Sequence, residues 1–437
     1  MSSASGSGCD GLPLRPQPVD ATRARGGGEE FEEEPLSSGD GAHPSASSGP
    51  RLRRVAWLVD GHDSYGLART VEVICERLAA RRGYPIIVCI DEGPFAADLR
   101  RRGWLVRSLG RTHAALRVHR PPSTRIEALR RAIALTRLAA DVAASLKDLH
   151  VDALVCRTGA LAGLCGAAAR SLGAEAWWYM ANTVPGGVRG LASRLYYDYN
   201  IYRSDIHVIA NSQCSRDSLG AAASRALVIP PPVDLAPFLR VSELRGVAAA
   251  GHAPRKGNFG MFARLVKWKG QLPFVRAFLA VAKSAQLGDL VVVGDGDRDY
   301  LMQLQSVVRA DANGAKVRFL GRVERPEEVM REVDVVVCPS IEPEPYGRVC
   351  VEAQAAARPV LASAIGGHTE TVLDGVTGWL FPGTDEHAMA EAIGRALQDQ
   401  LEWIEMGAAA RRHVADHFDG QVLADRFIDA VYGGTAA

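Results

Sequence analysis

The chain has 437 residues, of which 47% are hydrophobic, and a formal net charge of +1. That length accommodates two domains, each able to bury a core of its own. The near-neutral balance removes any global drive toward nucleic acid, so an anionic partner would have to find a local basic patch.

Residues 1–50 are rich in Ser, Gly, Pro and acid, with Glu29-Glu30 and Glu32-Glu33-Glu34 in succession. Such a segment buries too little to offset its ordering entropy and is expected to be a disordered tail. From Arg51 the pattern changes to short apolar runs alternating with longer helical ones. Val55–Val59, Pro85–Ile90, Ala153–Cys156, Ala176–Met180, His207–Ala210 and Ala226–Ile229 read as strands, with a loop through Gly66 and a helix over 68–82 after the first. Strands apolar on both faces and separated by helices imply a parallel sheet covered on both sides. The expected first domain is 51–238, followed by a linker at 239–256 after Pro230-Pro231-Pro232.

A second series follows: Asn258–Ala263, Leu290–Val293, Val317–Leu320, Val335–Cys338 and Val360–Ser363. It predicts a second α/β domain over 257–415, closed by an apolar-striped helix within 416–437. No run of about eighteen apolar residues is found, which argues against a spanning helix. The amino terminus lacks the order of a secretory signal. Cys9, Cys75, Cys89, Cys156, Cys165, Cys214, Cys338 and Cys350 include no C-x-x-C pair, and none stands at metal spacing from a histidine. The expectation is a cytoplasmic protein with free thiols and no metal.

Two facing α/β domains bind ligands at the carboxyl ends of their strands, and four clusters fall there. Arg264 and Lys269 could clamp a diphosphate, or be a solvated basic turn. Glu344 and Glu352 flank Pro345-Tyr346-Gly347, where carboxylates could hold sugar hydroxyls while the helix amides at Gly347, Arg348 and Val349 face a phosphate. Gly366-Gly367 permits close backbone approach, or is only a tight turn. Gly294-Asp295-Gly296 is a weak dinucleotide signal without a ribose-binding acid about twenty residues on, and Asp295 with Asp297 lacks a third metal ligand.

Taken in order, these clusters resemble glycosyltransferase family 4, a retaining family of GT-B fold, over about residues 53–435. Glu344-Pro-Tyr-Gly-Arg-Val-Cys-Val-Glu352 is similar to its Glu-x7-Glu signature, and Arg264 to Gly270 to its donor clamp. Gly366-Gly367-x-x-Glu370, Asp374 to Leu380, Val291 to Gly296, Phe319 to Val323, Asn211-Ser212 and Val233-Asp234 match further blocks. The resemblance implies two Rossmann-like doubly wound domains facing a cleft, and a nucleotide-sugar donor in the second. Arg264 and Lys269 would hold the diphosphate, Glu352 the ribose and Glu344 the transferred sugar. Gly321, Val323, Gly347, Arg348, Val349, Gly366 and Gly367 would line the donor site, and Gly66 would approach from the first domain. Cations and helix amides would stabilise the departing diphosphate without a metal or other cofactor.

This chain departs from the family where a histidine commonly follows the Trp177–Met180 strand; Asn182 is the candidate acceptor-side substitute. The linker block also lacks the usual Asn-Gly. Between Arg100 and Arg137 eleven arginines face a single acid, Glu127. A helix from Thr124 to Leu146 there, striped by Ile126, Leu129, Ile133, Leu138 and Val142, could lie on an anionic membrane or pack on the sheet. The expected activity is transfer of a hexose to a hydroxyl on a glycan, lipid or small molecule, without nucleic-acid partners. A nucleotide-sugar epimerase, a non-catalytic nucleotide-sugar-binding protein and a dehydrogenase are the alternatives.

Overall fold

The computed structural model describes residues 53–60, 66–110, 125–184, 187–241, 257–283 and 287–433. The tail expected at 1–50 and most of the linker expected at 239–256 lie outside these residues. Arg51–Ala437 forms one compact unit built on two sheets.

The first sheet contains β1 (Arg54–Val59), β2 (Tyr84–Cys89), β3 (Val106–Ser108), β4 (Ala153–Cys156), β5 (Glu175–Met180), β6 (Ile206–Ala210) and β7 (Ala226–Val228). The second contains β8 (Phe259–Phe262), β9 (Leu290–Val293), β10 (Val317–Gly321), β11 (Val335–Cys338), β12 (Val360–Ser363) and β13 (Gly378–Phe381). Their orders are β3-β2-β1-β4-β5-β6-β7 and β10-β9-β8-β11-β12-β13, and the paired strands are parallel. The doubly wound α/β expectation therefore holds for both domains. Each order reverses once, between β1 and β4 and between β8 and β11. Ligands of such sheets bind outside the carboxyl ends at that reversal.

Alternation within a strand explains the two-sided covering. In β4, Leu154 and Cys156 enter a core with Leu138 and Val142 of the helix Arg125–Leu146 and Leu164 of the helix Ala162–Leu172. Ala153 and Val155 point the other way, into a core with Val71 and Ile74 of the helix Gly66–Ala80. That second core also receives Phe427 and Ile428 from the closing helix Gly420–Gly433, so the end of the chain docks on the first sheet. Phe427 stacks on Trp57 at 5.2 Å between ring centroids, and Arg77 grips Asp425 with two hydrogen bonds of 2.9 and 2.6 Å.

Two sequence boundaries shift. Ile229 belongs to the first domain's core, whereas Val233, Leu235 and Phe238 bury in the second's. The passage between cores thus lies at Pro230–Pro232, not at 238, because the apolar residues just after the prolines are captured by the carboxy-terminal sheet. The return passage comes between Phe418, in the second core, and the helix that starts at Gly420. A Cβ on Gly420 would meet the Val233 carbonyl oxygen at 2.3 Å, so the two crossings touch. The strands β3 and β13 were not anticipated. β3 has only three half-buried residues, Val-Arg-Ser, and so carries no apolar run.

Candidate active site

The loops that leave β8, β11 and β12 meet at the second sheet's reversal point. The chain leaving β8 carries Arg264, which is exposed, then a single 3-10 turn at Lys267–Lys269 ended by Gly270. Gly270 sits at φ +71, and a Cβ there would lie 1.8 Å from the Pro339 carbonyl oxygen. Only glycine lets this turn press against the exit of β11. The Trp268 carbonyl accepts the Ile341 N–H at 2.8 Å, fixing the two loops side by side. Their contact brings the Lys269 ammonium onto the Glu344 carboxylate, across 75 residues of sequence. Ser340 Oγ donates to the same carboxylate oxygen at 3.2 Å, and Lys269 also lies 4.3 Å from the centroid of the Trp268 ring.

The loop after β12 is stitched to Glu344 by main chain. Gly367 N–H donates to the Glu344 carbonyl at 2.7 Å. Gly366 adopts φ +61, where a Cβ would stand 2.3 Å from that carbonyl oxygen. Gly347 caps the helix Arg348–Ala355 at φ +92, turning the chain so that the helix start lies next to Glu344. Within that helix Arg348 Nε donates to Glu352 Oε1 at 2.7 Å, and Glu352 is buried. Val349 packs half-buried against the second domain's core.

Lys269, Glu344, Gly347, Arg348, Val349, Glu352, Gly366 and Gly367 are thus gathered by three neighbouring loops, with Arg264 at the end of β8. Gly321 and Val323 lie farther out, at the end of the edge strand β10, joined inward by the bond from Gly294 N–H to the Gly321 carbonyl at 2.8 Å. Gly66 begins the first helix of the other domain, and Asn182 is exposed just beyond β5. Residues 61–65 of the glycine loop lie outside the described residues.

Glu370 and Ser212 fall in motifs matched from the sequence without a function given to either, and Arg157 is not singled out there. Glu370 accepts the N–H groups of Gln213 and Cys214, both at 2.8 Å, from the short helix Gln213–Asp217 of the first domain. Ser212, which caps that helix by accepting the Ser215 N–H at 3.0 Å, donates its hydroxyl to the Pro345 carbonyl. The loop bearing Glu344 is thereby tied to the facing domain. Arg157 follows β4 at the first sheet's reversal point and is 7% exposed. Burial pushes the Tyr179 phenol upward, and the guanidiniums of Arg157 and Arg348, from opposite domains, act against that shift. A charged residue directly after the apolar run Ala-Leu-Val-Cys was the signal available for Arg157. A cavity of about 500 Å³ lined by Arg53, Asp152, Glu175 and Asp205 lies at the amino-terminal ends of the first sheet's strands, away from all these loops.

Residues 256–399 match the family model described as glycosyl transferases group 1. The D-inositol 3-phosphate glycosyltransferase of Nocardia farcinica is 30% identical over 203 residues, 45% of this chain and 45% of that protein. The GDP-mannose-dependent alpha-(1-6)-phosphatidylinositol monomannoside mannosyltransferase of Mycobacterium tuberculosis is 31% identical over 232 residues, 50% of this chain and 59% of that protein. The matched region thus spans about half the length of these curated relatives. The crystal structure of Anabaena HepE in complex with UDP superposes with a TM-score of 0.70, covering 87% of this chain and 100% of that one at 20% identity. Residues 256–399 are therefore similar to the glycosyl transferases group 1 domain, within a molecule of GT-B fold.

Proposed function

We propose that the protein is a retaining glycosyltransferase that moves a hexose from a nucleotide-diphosphate sugar to a hydroxyl acceptor. The observation that carries this reading is the convergence of Lys269, Glu344 and the glycine-capped start of the helix Arg348–Ala355 at one sheet reversal. Breaking the glycosyl–phosphate bond builds negative charge on the leaving diphosphate. In this reading Arg264, Lys269 and the amides of Gly347, Arg348 and Val349 stabilise that charge, in the place a metal ion takes elsewhere. Lys269 exchanges its bond to Glu344 for the phosphate, leaving the carboxylate to orient the sugar. Glu352 holds the ribose. The acceptor attacks from the face the diphosphate leaves, and the phosphate takes its proton.

Relatives named for D-inositol 3-phosphate and for phosphatidylinositol monomannoside favour an inositol-bearing acceptor, soluble or lipid-linked, and a GDP- or UDP-sugar donor. A lipid-linked acceptor would place the protein at a cytoplasmic membrane face. A second reading, a non-catalytic nucleotide-sugar binder, draws on the lack of the histidine that commonly follows the Trp177–Met180 strand in the family it resembles, with Asn182 the candidate substitute.

Calorimetry with a panel of nucleotide sugars in the presence of chelator, on the wild type and on Glu352→Ala, tests the proposal. Binding of one donor, lost in the variant, supports the site. Transfer to inositol-bearing acceptors then separates enzyme from binder. Absence of binding for every donor, both with and without chelator, refutes the transferase reading.

A further inference from the structure

We propose that Cys338, Cys350 and His368 form a site for a borderline-soft divalent cation of the zinc type, stapling together the elements that carry the donor loops. The inference is independent of the transferase reading.

The three residues are far from any metal-binding spacing in sequence, and the fold assembles them. Cys338 ends β11, Cys350 lies in the first turn of the helix Arg348–Ala355, and His368 opens the short helix His368–Thr371. Their ligand atoms lie within 4.8 Å of one another. Tetrahedral zinc, with bonds of about 2.3 Å to sulfur and 2.0–2.1 Å to nitrogen, spaces its ligand atoms by roughly 3.5–3.8 Å. That spacing is about 1 Å below the 4.8 Å that bounds the three ligand atoms here.

The surroundings of the imidazole supply a second, independent observation. His368 is 1% exposed, and its Nδ1 lies 3.1 Å from the Ser363 carbonyl oxygen and 3.4 Å from the Ser363 hydroxyl. Donation from Nδ1–H to that carbonyl selects the tautomer with its lone pair on Nε2, the arrangement in which a backbone oxygen orients a metal-binding histidine. The Cδ2 side of the ring lies near the start of the cysteine helix. A Cβ built on Gly347 would lie 3.0 Å from His368 Cδ2, the carbon bonded to Nε2, and 3.5 Å from Cys350 Sγ. Cys350 and His368 are buried, and Cys338 is half-buried as a whole residue.

The charge balances. A dipositive ion binds two thiolates and neutral imidazole as two protons leave, so no net charge is added beside Lys269. Three protein ligands leave the fourth tetrahedral position to water. Bound metal would join the end of β11, the start of the phosphate-facing helix and the Gly366–His368 turn, and so stabilise the folded second domain.

The test is titration of the full chain with Co2+ under a thiol-free reductant, read by thiolate-to-cobalt absorption, and thermal unfolding with and without Zn2+. The expected result is one tight Co2+ per wild-type chain with the thiolate band, and a Tm that rises with Zn2+. Cys338→Ala and His368→Gln should each weaken binding by about tenfold or more and abolish the Tm shift, while Cys214→Ala, in the other domain, changes neither. Folded wild-type protein without the thiolate band overturns the proposal. So do unchanged affinity in Cys338→Ala, and conversion of the thiols to a disulfide without metal uptake.

Discussion

Lys269 and Glu344 pair with each other in the structure, and under the proposed function an arriving donor would compete for that contact. Lys269→Ala should lower kcat for transfer by about 10²–10³, the usual effect of removing one preorganised donor from a developing anion. Steady-state kinetics with saturating donor checks this, and an unimpaired variant would remove Lys269 from the charge-stabilising role. Gly366 offers a different kind of test, because its constraint is steric. Alanine there must hold φ near +61 and place a methyl 2.3 Å from the Glu344 carbonyl oxygen, so the two loops separate. Gly366→Ala should lose donor binding in calorimetry; retained affinity would show that the stitch between the loops is dispensable. The chemical types at these positions were visible in the sequence. Their pairing was not, since Lys269 and Glu344 meet only because Gly270 packs against Pro339.

At the scale of elements, the short helix Gln213–Asp217 and the turn bearing Glu370 act as a clasp between the domains. Two charge-assisted hydrogen bonds of 2.8 Å hold the carboxylate, each contributing about 1.5–3 kcal/mol when a charge is involved. Glu370→Ala should leave donor affinity nearly intact and reduce kcat by roughly tenfold, equivalent to about 1.4 kcal/mol. Equal losses in kcat and donor affinity would instead mean that the turn itself had collapsed. The closing helix is held by its own acid. The Arg77 guanidinium bonded to Asp425 keeps that carboxyl below the usual range. Its stabilisation is therefore full above the ordinary aspartate pKa of about 3.9 and is lost as pH falls below it. Asp425→Asn should lower Tm at neutral pH and flatten that part of the acid limb, as followed by circular dichroism. The helices themselves were legible from their apolar spacing. The clasp was not, although Asn211-Ser212 and Glu370 stood out as motifs, because a carboxylate's partner on another domain leaves no local pattern.

For the molecule as a whole, the first domain's arginine-rich helix bears on where the protein works. Leu138 and Val142 of the expected stripe are buried in the sheet's core, whereas Ile133 is 45% exposed and Arg130 and Arg137 face solvent. The carboxy-terminal half of the helix thus packs on the sheet; the side chains of Ile126, Leu129 and Arg131, on which the membrane reading also draws, lie outside the described residues. Among the described residues no helix is long and apolar enough to cross a membrane. Reversing Arg130 and Arg131 to Glu should weaken co-sedimentation with anionic vesicles, by about 1 kcal/mol per charge near the surface. Unchanged sedimentation would assign those arginines to solvent.

Composition and periodicity determined the two α/β domains, because strands buried on both faces must be apolar throughout and the helices between them must carry a stripe. Motif order picked out the loops after β8, β11 and β12, since each glycine and carboxylate follows closely on its own strand. Only the tertiary structure decided what crosses between strands and domains. It placed Val233, Leu235 and Phe238 in the second core, paired Lys269 with Glu344, seated Glu370 on the facing domain and brought Cys338, Cys350 and His368 together. Those contacts depend on the order in which strands lie in the sheet, and a linear pattern of hydrophobicity does not encode which strand ends become neighbours.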